Sequence, residues 1–159
     1  MQETKKELEE KTEKLDEKDL RVLNALVENS KSRTSQLSKK LRMPITTVHN
    51  RIKKLEKLGI IKNYTVIPDH KKLGKSVLSF ILVTVMYMLP NGEKISQEQV
   101  ARKIKSLGAE EVSIVTGGTD IVVKVRVKDV DELNDFVIKK LRTVEGVDKT
   151  QTLIVLSGF

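Results

Sequence analysis

Arg42-Met43-Pro44-Ile45-Thr46-Thr47-Val48-His49-Asn50-Arg51-Ile52-Lys53-Lys54-Leu55-Glu56-Lys57-Leu58-Gly59, residues 42 to 59, decides how the first half of the chain folds. Ile45, Val48, Ile52, Leu55 and Leu58 recur at steps of 3, 4, 3 and 3, the spacing of one helix face, and Gly59 supplies the stop. At about 100° per residue, turning Val48, Ile52 and Leu55 inward puts Thr46, Asn50, Lys53 and Lys57 on the opposite side, flanked by Thr47, His49 and Lys54. The first turns then offer side chains that hydrogen-bond base edges, and the later turns offer lysines for phosphates. A merely solvated basic face would carry the same charges.

The residues upstream favour the first reading. A short helix over Thr34 to Leu41, burying Leu37 and Leu41, meets the long helix through the tight Arg42-Met43-Pro44 connection. Short helix, tight turn and long helix in series form a helix-turn-helix, which presents its second helix to a major groove. A preceding helix starts at Asp16, with Asp19 as a short capping-box partner and Leu15 and Leu20 as a hydrophobic staple. Leu20, Leu23, Leu26 and Val27 are its expected apolar stripe. After Gly59, Ile60 to Ile67 alternates and is β-branched, predicting a strand or narrow ribbon whose Lys62, Asn63 and Tyr64 form a wing against the DNA backbone. Residues 1–14 read as a polar, solvated extension, residues 15–67 as the DNA-binding domain, 68–76 as a linker and 77–159 as a second domain.

Charge supports this division. Residues 30 to 76 carry 13 Lys/Arg against Glu56 and Asp69, a net of +11, whereas residues 1 to 29 are net −3 and residues 77 to 159 are neutral. So concentrated a positive field points to a polyanion such as nucleic acid. Zero Cys removes disulfides and thiolate metal sites, and His49 and His70 alone make a zinc cluster an unsuitable reading, so no metal or cofactor is expected. No run of about 18 apolar residues and no export signal are visible, which predicts a cytoplasmic protein without a membrane partner.

The neutral half reads as two split β-α-β units. Val77 to Met88 is a strand apolar on both faces; Ser96 and Gln99 cap a helix with Val100, Ile104 and Leu107 inward. Glu111 to Thr116 and Ile121 to Val127 are strands around Gly117-Gly118. Asp129 and Glu132 cap a helix bearing Val130, Leu133, Val137, Leu141 and Val144, and Val147 to Leu156 is the last strand. The order β-α-β-β-α-β predicts a ferredoxin-like sandwich, making the whole chain a two-domain α+β protein. Two helices cover one face of such a sheet, so a second copy is expected on the other.

Four segments in this order resemble the leucine-responsive/feast-famine (Lrp/AsnC) family of prokaryotic transcription regulators: Leu15 to Leu23, Thr47 to Ile61, Thr116-Gly117-Gly118-Thr119-Asp120, and Thr152 to Leu156. The resemblance covers about residues 15 to 159, and the Lys-rich composition fits an archaeal branch. It implies a winged helix-turn-helix that binds double-stranded DNA, and a ferredoxin-like domain that dimerises, assembles into tetramers or octamers, and in many members binds an amino acid between subunits. Thr46, Thr47, His49, Asn50 and Arg51 match the family's recognition-helix positions. Arg51 keeps two readings, DNA contact or an internal brace. Gly117 and Asp120, with Gly118 and Thr119 between them, match the turn bordering the effector site, and Thr150 and Thr152 match nearby polar positions. The turn departs from the family's Gly-Asp-Tyr-Asp, losing a carboxylate and an aromatic wall.

The resulting expectation is a sequence-specific, homo-oligomeric transcription regulator, not an enzyme. An architectural DNA binder is the alternative. A decarboxylase of the haem pathway, also similar to this family, is disfavoured because the second half has no His. RNA binding by the sheet is disfavoured because Ile121 to Val127 carries no aromatic residue.

Overall fold

A computed structural model describes residues 15 to 158, so the expected extension over residues 1–14 lies outside the described residues. The chain forms two compact units that meet at Ile67 and Pro68.

The first unit contains α1 (Glu17–Glu28), α2 (Thr34–Leu41) and α3 (Ile45–Lys57). Asp16 caps α1: its Oδ1 accepts from the Asp19 amide at 2.8 Å, and Asp19 Oδ2 accepts from the Asp16 amide at 3.0 Å. Arg42 turns the chain between α2 and α3 in the left-handed conformation, φ 52°. The turn is stitched by the Ser38 hydroxyl donating to the Met43 carbonyl at 2.6 Å and by Arg21 Nη2 donating to the Leu41 carbonyl at 3.0 Å. Val22, Ala25, Leu26, Leu37, Leu41, Met43, Val48 and Leu55 form the core.

Helix α1 does not bury the expected stripe. Asp19, Val22, Ala25 and Leu26 face inward, while Leu20 is exposed and Val27 is 78 % exposed. The helix is turned by roughly one residue, about 100°, because Asp19 goes inside to meet two cations of α3. On α3, Ile45 is likewise exposed rather than buried. The Ile60 to Ile67 strand is also absent: residues 62 to 69 form no ladder. A strand needs a partner edge for its backbone groups, and no described strand lies beside it. Side chains hold the segment instead, through Tyr64 Oη donating to Glu56 Oε1 at 3.0 Å.

The second unit opens with a turn. Asp69 Oδ1 accepts from the Lys71 and Lys72 amides, and the Lys75 amide donates to the His70 carbonyl. There follow β1 (Val77–Val85), α4 (Gln97–Ser106), β2 (Glu111–Ile114), β3 (Ile121–Val127), α5 (Val130–Asp135) and β4 (Val147–Ile154). The strands form one antiparallel sheet in the order β2-β3-β1-β4. Ser96 and Gln99 make the expected capping box on α4, and Asp129 Oδ1 accepts from the Glu132 amide on α5.

After Asp135 the helix loosens into a π turn over Phe136–Lys140 and a 3-10 turn over Leu141–Thr143. The extra residue in the π turn changes which side chains enter the core. Leu133, Phe136, Val137 and Leu141 are buried, whereas Val130, expected inside, is exposed.

Alternation divides the sheet cleanly. Ile81, Val83 and Val85 with Ile121, Val123, Val125 and Val127 face the helices and are buried. The other face carries Leu78, Phe80 and Leu82 on β1, and Phe80 lies opposite Leu153 on one side and Lys124 on the other. This face is less apolar than expected. Lys124 and Arg126 each pair with Glu110 at 3.4 Å, and β4 ends at Ile154, leaving Leu156 beyond the sheet.

Candidate nucleic-acid interface and effector turn

Helix α3 begins after Pro44, which has no side-chain cap to offer. The amides of its first turn therefore face outward with the positive end of the helix dipole, an arrangement suited to a phosphate. Val48 and Leu55 are fully buried, and this fixes the opposite stripe: Thr46, His49, Asn50, Lys53 and Lys57 are exposed, with Thr47 half-buried beside them. Lys62 is exposed on the following segment. Lys53 Nζ lies 3.3 Å from Glu56, the carboxylate that also receives Tyr64.

Arg51 and Lys54 belong to a different constellation. Arg51 Nη1 donates to both oxygens of Asp16 at 2.7 Å and to Asp19 Oδ1 at 2.6 Å, and Lys54 Nζ donates to Asp19 Oδ2 at 3.0 Å. Of the two readings open for Arg51, the geometry is that of the brace. Burial pushes the Asp19 carboxyl up, but the Asp16 amide and the two cations outweigh it and hold the group below the usual carboxylate range. Donation from Arg51 is the main cause lowering Asp16. Sequence periodicity missed this network because a carboxylate was not expected on the inward face of α1.

In the second unit the turn between β2 and β3 holds Gly117, Gly118, Thr119 and Asp120. Gly117 has φ 123°, open to glycine and costly for other residues. The Thr119 hydroxyl and the Asp120 amide both donate to the Val83 carbonyl at 3.0 Å. The Asp120 carboxylate accepts from the Tyr87 hydroxyl at 2.7 Å, the Val85 amide at 2.8 Å and Gln97 Nε2 at 2.8 Å. Donation from Tyr87 is the largest cause holding its carboxyl below the usual range. The register places Val83 between Ile121 and Thr150, and Ile81 opposite Thr152. Thr150 and the Asp120 turn thus flank β1 at one end of the sheet, two strand spacings or about 9.5 Å apart. Arg142 Nε donates to the Thr150 hydroxyl at 3.0 Å. Tyr87, Gln97 and Arg142 escaped sequence reasoning, because only the fold brings Tyr87 and Gln97 to the turn and Arg142 to Thr150.

Known proteins share both halves of this arrangement. Residues 15–62 match a winged helix-turn-helix DNA-binding model, and residues 82–159 match the Lrp/AsnC ligand-binding domain. An uncharacterised HTH-type transcriptional regulator of Pyrococcus furiosus is 41% identical over 143 residues, covering 89% of this chain and 93% of that protein. E. coli AsnC superposes with a TM-score of 0.78 at 28% identity, covering 91% of this chain and 94% of AsnC. A transcriptional regulator from Neisseria meningitidis, solved as an L-Met complex, shares the fold with a TM-score of 0.83 at 24% identity, covering 91% of each chain. Among the described residues no helix is long and apolar enough to cross a membrane. A helix-turn-helix and a βαββαβ sandwich in this order, matched along nearly their whole length by such relatives, make this chain a member of the Lrp/AsnC family of transcription regulators.

Proposed function

We propose that the chain reads double-stranded DNA sequence-specifically through α3, as a homo-oligomer whose open sheet face takes a second copy, and that a free amino acid modulates it at the β2–β3 turn. One observation supports the DNA reading above the others: Thr46, His49, Asn50, Lys53 and Lys57 form one exposed stripe directly opposite the buried Val48 and Leu55, inside the stretch of net charge +11. Hydrogen-bonding groups then meet base edges while the lysines meet phosphates. A duplex selected from a random pool by the protein should bind at least ~100-fold tighter than a shuffled duplex of equal length. Equal binding to both would overturn sequence-specific reading and favour an architectural role.

The effector reading draws on the Neisseria regulator, which was solved with L-Met, and on the chemistry of the turn. Gly117 and Gly118 are exposed, and backbone amides in such a turn suit a carboxylate. Asp120 is already engaged by three donors within the chain, so an amino acid's ammonium competes with Tyr87 and Gln97 for it. Calorimetric titration with the twenty L-amino acids tests this. Saturable heat from one class of side chain supports the reading, and no heat from any at millimolar concentration overturns it.

A further inference from the structure

We infer that Asp19 is a positioning residue for DNA recognition: through Arg51 and Lys54 it sets the rotation and height of α3, so that two basic residues of the recognition helix serve alignment instead of phosphate binding. This rests on the proposed role of α3 in reading DNA. The side chain of Asp19 is fully buried, and it stands on α1, outside the helix-turn-helix itself. Its two oxygens grip different residues. Oδ1 takes Arg51 and Oδ2 takes Lys54, which sit three positions apart on α3, about 4.5 Å along the axis.

Apolar packing of Val22 and Leu26 against Val48 and Leu55 tolerates sliding and small rotations, because dispersion contacts are weakly directional. Charge-assisted hydrogen bonds at two heights do not. Arg51 adds a third grip by reaching Asp16 at the cap of α1, so the guanidinium ties the start of one helix to the middle of the other. Buried ion pairs contribute little net stability compared with apolar replacements, and their best-attested use is to select one geometry. The sequence shows what that geometry displaces: Leu20 and Val27 are turned out of the core so that Asp19 can be turned in. Base readout depends on side chains held within about 0.5 Å, and Asn50 is the immediate chain neighbour of Arg51. A small rotation of α3 therefore moves the reading side chains directly.

Full-length wild type, Asp19→Asn, Arg51→Lys and Asp16→Asn are compared on the selected duplex and its shuffled counterpart across a KCl series. Asn caps a helix as well as Asp does, so Asp16→Asn removes charge from the network while keeping the cap. Arg51→Lys keeps the charge but loses the fork. Each variant should lower the ratio of selected to shuffled affinity, by about tenfold for Asp19→Asn and Arg51→Lys and by less for Asp16→Asn, while the slope of log affinity against log salt stays within about 0.5 of wild type. That ratio does not depend on the folded fraction, so a loss of stability alone leaves it unchanged. Should Asp19→Asn fail to fold, the other two variants carry the test. A slope steepened by about one for Asp19→Asn or Asp16→Asn, as the freed cations reach phosphates, or an unchanged ratio in Arg51→Lys, would overturn the inference and return Arg51 to the phosphate-contacting set. A wild-type ratio near one would instead sink the DNA reading itself.

Discussion

The hydroxyl of Tyr87 donates to Asp120 Oδ1 across 2.7 Å, and both side chains are gripped by Gln97 Nε2, at 2.6 Å from the tyrosine oxygen and 2.8 Å from the carboxylate. Three segments far apart in sequence are thereby closed on one another: the run-out of β1, the first turn of α4 and the turn before β3. Tyr87 brings an aromatic ring to a turn that lacks the tyrosine of the family's Gly-Asp-Tyr-Asp.

Acid should open this clasp. The Asp120 carboxyl is held below its ordinary value of 3.8, first by Tyr87, then by the Val85 amide, with burial opposing. A group depressed in the folded state contributes stability that is present above the unfolded value and lost as pH falls through the folded one. Amide exchange at Val85, followed by NMR between pH 6 and pH 3, should accelerate relative to β-sheet amides elsewhere only below about pH 4. In Asp120→Asn that relative acceleration should vanish, and a variant that retains it would place the titrating group elsewhere.

Gly146 is fixed by space as well as by conformation. Its φ is 91°, and a Cβ there would lie 2.8 Å from Val100 Cγ2 and 3.0 Å from Ile95 Cδ1. Both neighbours are buried side chains of the second core. Gly146→Ala should therefore cost about 2–4 kcal/mol in urea unfolding, from left-handed strain and overpacking together. A loss under about 0.5 kcal/mol would mean that the turn before β4 moves freely.

Ser79 presents the opposite case. It is fully buried on the helix-facing side of β1, and its hydroxyl has no hydrogen-bond partner. Replacing it by Ala removes an unpaired polar group at little cost in packing, and should raise stability by about 1 kcal/mol. A destabilised Ser79→Ala would reveal an ordered water on that hydroxyl.

Patterning made the architecture readable. The capping boxes at Asp16 and Ser96 and the bounds of α2 and β3 follow from local chemistry that the fold leaves intact, and the order of elements then dictates the sheet. What stayed hidden depended on partners distant in the chain. The rotation of α1 is set by Arg51 and Lys54, over thirty residues away, against a stripe of leucines that favoured another face. Residues 60 to 67 have strand composition, yet nothing described pairs with them, so composition alone misjudged them. The π turn over Phe136–Lys140 left no mark in the apolar pattern, because Val130, Leu133, Val137 and Leu141 fit the face of one regular helix. The exposed stripe on α3 was legible because Val48 and Leu55 determine it from within their own helix.

Asn50 and Lys57 lie on that stripe at different levels and should fail differently. Asn50→Ala removes a group suited to base edges, so discrimination between the selected and shuffled duplexes should fall by about tenfold with the salt slope unchanged. Lys57→Ala removes a phosphate partner, weakening both duplexes about equally and lowering the slope by about one. Fluorescence anisotropy across a salt series reads both quantities. The reverse pattern would place the C-terminal end of α3, not its N-terminal turns, against the bases.

Phe80 tests what covers the sheet. It sits mid-strand on the face opposite the helices, flanked by Leu78 and Leu82 along β1 and by Leu153 across the ladder, while Lys124 and Arg126 are drawn to Glu110 beside that stripe. A charge introduced at Phe80 faces outward and leaves the helix-side core of Ile81, Val83 and Val123 untouched. If a second copy packs there, Phe80→Glu buries two like charges near one axis, with the facing Lys124 already shared with Glu110, a cost of several kcal/mol per dimer. Light scattering at micromolar concentration should then report a monomer for the variant and an oligomer for the wild type, with unchanged far-UV circular dichroism. An oligomeric Phe80→Glu would move the interface off the open face, and the exposed Leu20 and Val27 of α1 would become the next surface to substitute.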